Sequence, residues 1–409
     1  MGALAPLLLR AAENAPDEKL PTVRQITKGP RFHWFGYYDK FQFSQDHRFV
    51  LSNEVDFEGR SPRADDMIRI GMVDLEDGDK WIELGNTTAW NWQQGCMLQW
   101  VPGSDHEIIW NDCKNGRFVA HVLNVKTSEK RTFPHPVYSL SPDGRSAITP
   151  DFRRLNDCRP GYGYTGIPDP NLNVLKPADS GVWSMDMKTG EQELLFSFAD
   201  IAAIPFTGKP DSAPRPDDRH WFNHLLFNTD STRFFFLHRW AKAGPAPGPF
   251  RTRAFTADRD GKNIHCIDPH GDTSHFIWRD PRHVMAWAWH PSHSNRFYLY
   301  EDKTDRVMVV GANDMTENGH NTYVPGRHQE WVLNDTYPDK NRLQHPYLYH
   351  IPTRRKLPLG HFTSPPAYTG EWRCDTHPRI SRDGTQVCID SPHNGGRQLF
   401  LIDVRSLLT

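Results

Sequence analysis

Long apolar runs are missing from this sequence of 409 residues, and that absence removes a membrane-spanning helix from consideration. The leucine patch at Leu7–Leu9 is too short for a signal core and lacks a basic flank, so no signal peptide is visible and the sequence alone reads as cytoplasmic. An excess of either charge is missing too: 48 Lys and Arg face 50 Asp and Glu, a net charge of −2. No overall field therefore draws the chain to nucleic acid or to an anionic membrane, and neither is expected as a partner. The six cysteines show no CxxC spacing, and buried free thiols are their ordinary reading. GxSxG, Walker, Rossmann GxGxxG and HExxH signatures are all lacking, so no organic cofactor is expected. Helical periodicity is scarce, its best instance being the short stretch Phe198–Ile204.

What the chain has instead is a repeated phrase: a Ser/Pro/Asp/Gly corner followed by an apolar strand. It reads SPDG-RSAIT from Ser141, SRDG-TQVCID from Ser381 and SQDH-RFVLS from Ser44. Looser copies begin at Val101, Asn228, Arg279 and Val324, which makes seven. Each corner suits a tight turn and each apolar run a buried strand. Alternating stretches such as Ile68–Asp79, Val119–Lys130, Gly181–Phe196 and Arg397–Ser406 suit the outer strands of the same unit. Such repetition predicts an all-β fold, a single-domain seven-bladed β-propeller over 26–409 preceded by an N-terminal extension over 1–25. The apolar C-terminal RQLFLIDV is expected to complete a sheet begun near the N-terminus. The long interval from 141 to 228 predicts loops on one face.

The segments before each corner should form the innermost strands, and they are rich in histidine and aromatics. His33, His135, His220, His224, His275, His320 and His377 would gather beside one channel, at a desolvation cost that Val or Ser would avoid. His275, His320, Cys374 and His377 make a sound tetrahedral set for a structural zinc ion. Tyr138 and Arg154, near Gln93, Gln94 and Asn111, form a second group, because a cation beside a phenol favours its ionised form. Arg159, Tyr162 and Tyr164 in RPGYGY offer a cation and flat rings suited to sugar, and Arg239 with Trp240 make a similar pair.

The C-terminal CDTHPRISRDGTQVCIDSPHNGGRQLFLIDV, the NDTYPD stretch and the RPGYGY loop together resemble the propeller polysaccharide lyases, the ulvan lyases first and the oligogalacturonate lyases more distantly. The resemblance implies β-elimination in a uronic-acid-containing polysaccharide or oligosaccharide. It also implies a His/Cys metal site and a secreted or periplasmic location. On it, Tyr138 is the acid and base, Arg154 with Gln93 or Gln94 neutralises the carboxylate, and His33 and His220 flank the cleft. The second-blade region carries Gln93, Gln94, Asn111 and Asp112 where those lyases carry a histidine pair. Two other readings stand beside it: a non-catalytic propeller that binds glycan or protein, and a glycoside hydrolase using two of Asp39, Asp112, Asp151 and Asp375.

Overall fold

The Ser/Asp corners build themselves in the same way three times. In each, the serine hydroxyl donates to the aspartate two residues on: Ser44 to Asp46, Ser141 to Asp143 and Ser381 to Asp383, at 2.5, 2.6 and 2.5 Å. The same oxygen then accepts the backbone N–H five residues on, at Phe49, Ser146 and Gln386. The fourth position is left-handed, which Gly144 (φ +69°) and Gly384 (φ +71°) adopt freely and His47 (φ +63°) adopts at some cost. All seven corners join the first strand of a sheet to its second.

A computed structural model describes residues 19–244, 248–327 and 329–408. Its strands form seven four-stranded sheets, the blades of a propeller. The innermost strands, in order, are Phe32–Trp34, Gln99–Trp100, Ser139–Leu140, Asp218–Phe227, Phe276–Trp278, Thr322–Tyr323 and Arg379–Ile380. Blade seven is completed by Val23–Gln25, which pairs antiparallel with Phe400–Ile402. The expected closure is thus present, and it draws the last residues of the expected extension into the ring. Residues 1–18 of that extension, with the leucine patch, lie outside the described residues.

Blades pack face to face through aromatic side chains; Trp34, Trp90 and Trp92 meet with ring centroids 5.0–5.6 Å apart. The long interval in blade three carries two short helices. Phe198–Ala203 sits where helical periodicity was best, started by a capping box of Ser197 and Asp200. Phe152–Cys158 was not legible, since seven residues are too few for a periodic signal; Asp151 caps it by accepting from the backbone of Arg153 and Arg154. No helix among the described residues is long and apolar enough to cross a membrane.

Candidate functional site

The inner strands run side by side around the channel, so residues just before them share one mouth and residues at their far ends share the other. His275, His320 and His377 each precede an inner strand and meet at the first mouth. The His320 ring lies 4.1 Å from that of His275 and 4.2 Å from that of His377. One potential ligand atom each from His320, Asp375 and His377 lies within 4.8 Å of the others, and all three residues are buried.

These residues fit a divalent cation on chemical grounds. The Asp335 carboxylate engages Nδ1 of His320 at 2.9 Å and accepts from the Thr376 hydroxyl at 2.5 Å. That leaves Nε2 of His320 as the free nitrogen, the usual support for a metal-binding imidazole. Nε2 of His320 and of His377 are buried with no hydrogen-bond partner. Burial, then the neighbouring His320, holds both His275 and His377 well below the usual imidazole range and keeps them neutral, as ligands must be. Cys374 is not in the cluster. Its thiol is surrounded by Arg397, Asp390 and Glu58, and burial pushes it far up, away from thiolate. Successive side chains of an extended chain face opposite ways, so the carboxylate of Asp375 stands where the thiol was expected. Imidazole with carboxylate is a harder set than one with sulfur, and it accommodates manganese or iron as well as zinc. Asp335→Asn is expected to weaken manganese binding about 10–100-fold by calorimetry while leaving the fold intact; unchanged affinity would remove Asp335 from the site.

Next to this cluster, a cavity of about 190 Å3 opens between Tyr37, Arg159, Tyr162, Arg239, His275 and Tyr337. The Arg159 and Arg239 guanidinium groups lie over the ring of Phe250, at 4.6 and 4.8 Å from its centroid. The Nε of each is buried without a partner, and among the described residues neither guanidinium meets a carboxylate. Arg239 is 7% exposed, and burial with the nearby Arg159 pushes it down to about 10. Two cations left unpaired at this depth mark a place for an anion.

Two tyrosines of the cavity are driven in opposite directions. Burial alone would push the Tyr162 phenol up, but the Arg373 and Arg159 guanidinium groups overcome it and leave it below the usual value. Arg373 donates to its oxygen at 2.7 Å. Tyr37 is pushed well above the usual value by burial and by the tyrosines around it. The two rings stand edge-on, 6.5 Å apart.

Tyr37 belongs to a segment, Gly36–Lys40, that threads the channel. Phe35 and Gly36 are pinned by their backbone N–H groups to the Asp390 carboxylate. Gly36 (φ +113°) is required, because a Cβ there would sit 2.7 Å from the backbone of Gln94. Tyr38 exchanges hydrogen bonds with the backbone of Phe276. Asp39 hydrogen-bonds His224 at 3.0 Å and forms an ion pair with Lys40 at 3.1 Å. Burial would raise this carboxyl, but these partners hold it down at about 2. Lys40 lies 4.8 Å over the Tyr138 ring.

The expected Tyr138–Arg154 pair is not assembled. Arg154 spends its donors on Asp169 and on the carbonyls of Asn171, Val174, Leu175 and His220, pinning the 169–175 loop. Tyr138 receives a hydrogen bond from Gln94 at 2.7 Å, and burial then Asp39 push its phenol far up. Gln93 donates to the carbonyls of Glu371 and Arg373. Asn111 locks onto the backbone of Val137 and the hydroxyl of Tyr164, whose ring stacks on Phe152 at 4.2 Å. Trp240 is buried against Phe206 and His220, away from the cavity. Cys374, Arg154, Asn111, Tyr164 and Trp240 therefore hold the frame.

The carboxylates weighed for hydrolysis are likewise engaged: Asp112 by His121, Asp151 as a helix cap, Asp39 by His224 and Asp375 by Arg373. Tyr37, Asp335, Arg373 and Tyr337 were not singled out one by one in the sequence; Asp335 and Tyr337 fall in the NDTYPD stretch, Arg373 directly before CDTHPRI, and Tyr37 in the aromatic run from His33 to Lys40.

His33 and His220 do not flank the cavity. His33 sits edge-on to Trp81, and burial with Arg31 holds it down at about 4. His220 bonds His238 at 2.8 Å, and burial with Lys176 and Arg253 holds it down at about 3. These values lie below the free imidazole value of about 6.5, so as pH falls the unfolded chain takes up protons first. Their contribution to stability is full above that value and erodes as pH drops towards 4 and then 3. Each histidine adds a slope of up to about 1.4 kcal/mol per pH unit in that window. Urea midpoints for the protein and His220→Gln should therefore converge as pH falls below neutrality; a parallel pair of curves would refute the assignment.

Fold and site together define a seven-bladed propeller with a His/Asp cluster and an arginine-lined cavity at one mouth. No protein-family model and no curated protein sequence matches the chain. Among solved structures it resembles oligogalacturonate lyase from Vibrio parahaemolyticus, with TM-score 0.65 and 14% identity over 96% of this chain and 97% of that one. An oligogalacturonate lyase in complex with manganese gives TM-score 0.67 and 14% identity, covering 96% of each chain. The tricorn protease gives TM-score 0.50 and 9% identity, over 97% of this chain but 35% of that one. At these identities the likeness is one of fold.

Proposed function

We propose that this protein is a lyase that cleaves a uronate-containing oligosaccharide by β-elimination, closer in kind to oligogalacturonate lyase than to ulvan lyase. The observation that carries the reading is the pair of unpartnered guanidinium groups, Arg159 and Arg239, facing the cavity beside the His/Asp cluster. Together they fit the carboxylate of a uronate. Neutralising that carboxylate acidifies the proton on the adjacent carbon. Tyr162, the phenol held low, takes this proton as base. The electron pair forms the new double bond and expels the glycosidic oxygen on the next carbon. Tyr37, the phenol held high, returns a proton to that oxygen. Groups whose environments push them apart divide the roles of base and acid. A divalent cation held by His320, Asp375 and His377, with His275 alongside, would add positive charge against the same carboxylate. The roles expected for Arg154 and Tyr138 pass to Arg239 and Tyr162.

The test is the ultraviolet absorbance of unsaturated uronate, followed with purified protein and manganese on oligogalacturonate, ulvan, alginate and glucuronate-rich glycans. A signal on oligogalacturonate that chelation abolishes is expected. Silence on every uronate would overturn the reading and leave a glycan-binding propeller.

A further inference from the structure

At the opposite mouth, the far ends of the inner strands surround a second cavity of about 260 Å3. Its wall is apolar, with Leu140, Phe227, Ile277, Trp278 and Ile380 among the residues that shape it. Its charged members are Asp39, Lys40, Arg379 and Arg382, three cations against one carboxylate. Asp39 is committed to His224 and Lys40, and Arg379 to Gln42 and Asp390. Arg382 is different. Its Nε and one Nη are buried with no hydrogen-bond partner, while its guanidinium lies 4.5 Å over Phe41, itself 43% exposed. Lys40 is 6% exposed, and its ammonium has the Asp39 carboxylate as its ion-pair partner.

We infer that this mouth is a second ligand site, for a small organic anion with an apolar body, such as an arylalkanoate. The carboxylate is received by Arg382, with Lys40 deeper in the cavity, and the body lies against Trp278, Ile277 and Phe227. An unpartnered guanidinium edge in an apolar wall favours an anion with hydrocarbon attached over inorganic phosphate or a free sugar acid, because each part of such a ligand meets its own complement. The site is independent of the proposed reaction: Tyr37 reaches the first cavity and Lys40 the second, from opposite ends of one segment.

Calorimetry with 3-phenylpropanoate and, as the uncharged control, 3-phenylpropanol tests it on the full chain. The acid is expected to bind and the alcohol to bind roughly tenfold more weakly or worse. Arg382→Gln should lose about tenfold for the acid, and Thr229→Trp, at the exposed rim of the cavity, should block both. Arg239→Gln, at the first mouth, should leave binding unchanged. No binding of the acid, equal binding of acid and alcohol, or a loss seen with Arg239→Gln and absent with Arg382→Gln would each overturn the inference.

Discussion

Arg239→Gln is expected to abolish most elimination activity while making the protein no less stable. Arg239 is 7% exposed, meets no carboxylate among the described residues, and shares its surroundings with Arg159, so in the free protein its charge is a burden. Replacing such a charge with a neutral side chain is neutral or favourable for folding. In the proposed reaction the same charge would meet the negative charge that develops on the uronate, and loss of one such group costs about 10^2–10^3 in rate. Steady-state kinetics and a thermal melt on the same preparation decide it. A large fall in activity at an unchanged or raised melting temperature is the expected pair of results. Full activity would dismiss Arg239 from the site, and a collapse of the fold would show that a hidden partner holds it.

Tyr162→Phe is expected to lower the rate by about 10^2–10^4, the usual contribution of a positioned base. The shape of the pH profile is the sharper test. The base acts when deprotonated, so the rate should rise with pH through the Tyr162 phenol and level off above it. Arg373 and Arg159 hold that phenol down against burial. Arg373→Gln removes one of these charges, so the rising limb should move to higher pH. Tyr138→Phe, by contrast, removes a phenol that burial keeps protonated and should leave the limb where it is. A limb that ignores Arg373 and shifts with Tyr138 would reverse the assignment.

The ring was legible because its corners are local. A serine, an aspartate two residues on and a left-handed fourth position satisfy one another within six residues, so the pattern survives in sequence. The histidines near the channel were legible for a different reason, as polar residues placed where apolar ones cost less. What could not be read was direction. Nothing in the spacing of Tyr138 and Arg154 reveals that the carbonyls of 171–175 and His220 turn the arginine away. Cys374 completes a tetrahedral zinc set with the three histidines on paper, but which of two adjacent residues faces the channel depends on the chain's path. Tyr37 was hidden because a tyrosine beside a tyrosine reads as core, and the burial and neighbouring tyrosines that raise its phenol exist only in the folded channel.

The seam in blade seven bears on how the molecule is made. A ribosome releases Val23–Gln25 among the first of the described strands, yet its place is beside Phe400–Ile402, near the other end of the chain. The first of the described strands is therefore seated last, and its edge waits for Phe400–Ile402. The cluster inherits the same delay: Asp375 and His377 emerge late, so Tyr37 waits at an incomplete channel until blade seven arrives. A nascent chain stalled before Asp375 holds six blades and His320 without its two companions, and a cation held by all three would be taken up only once blade seven has been made.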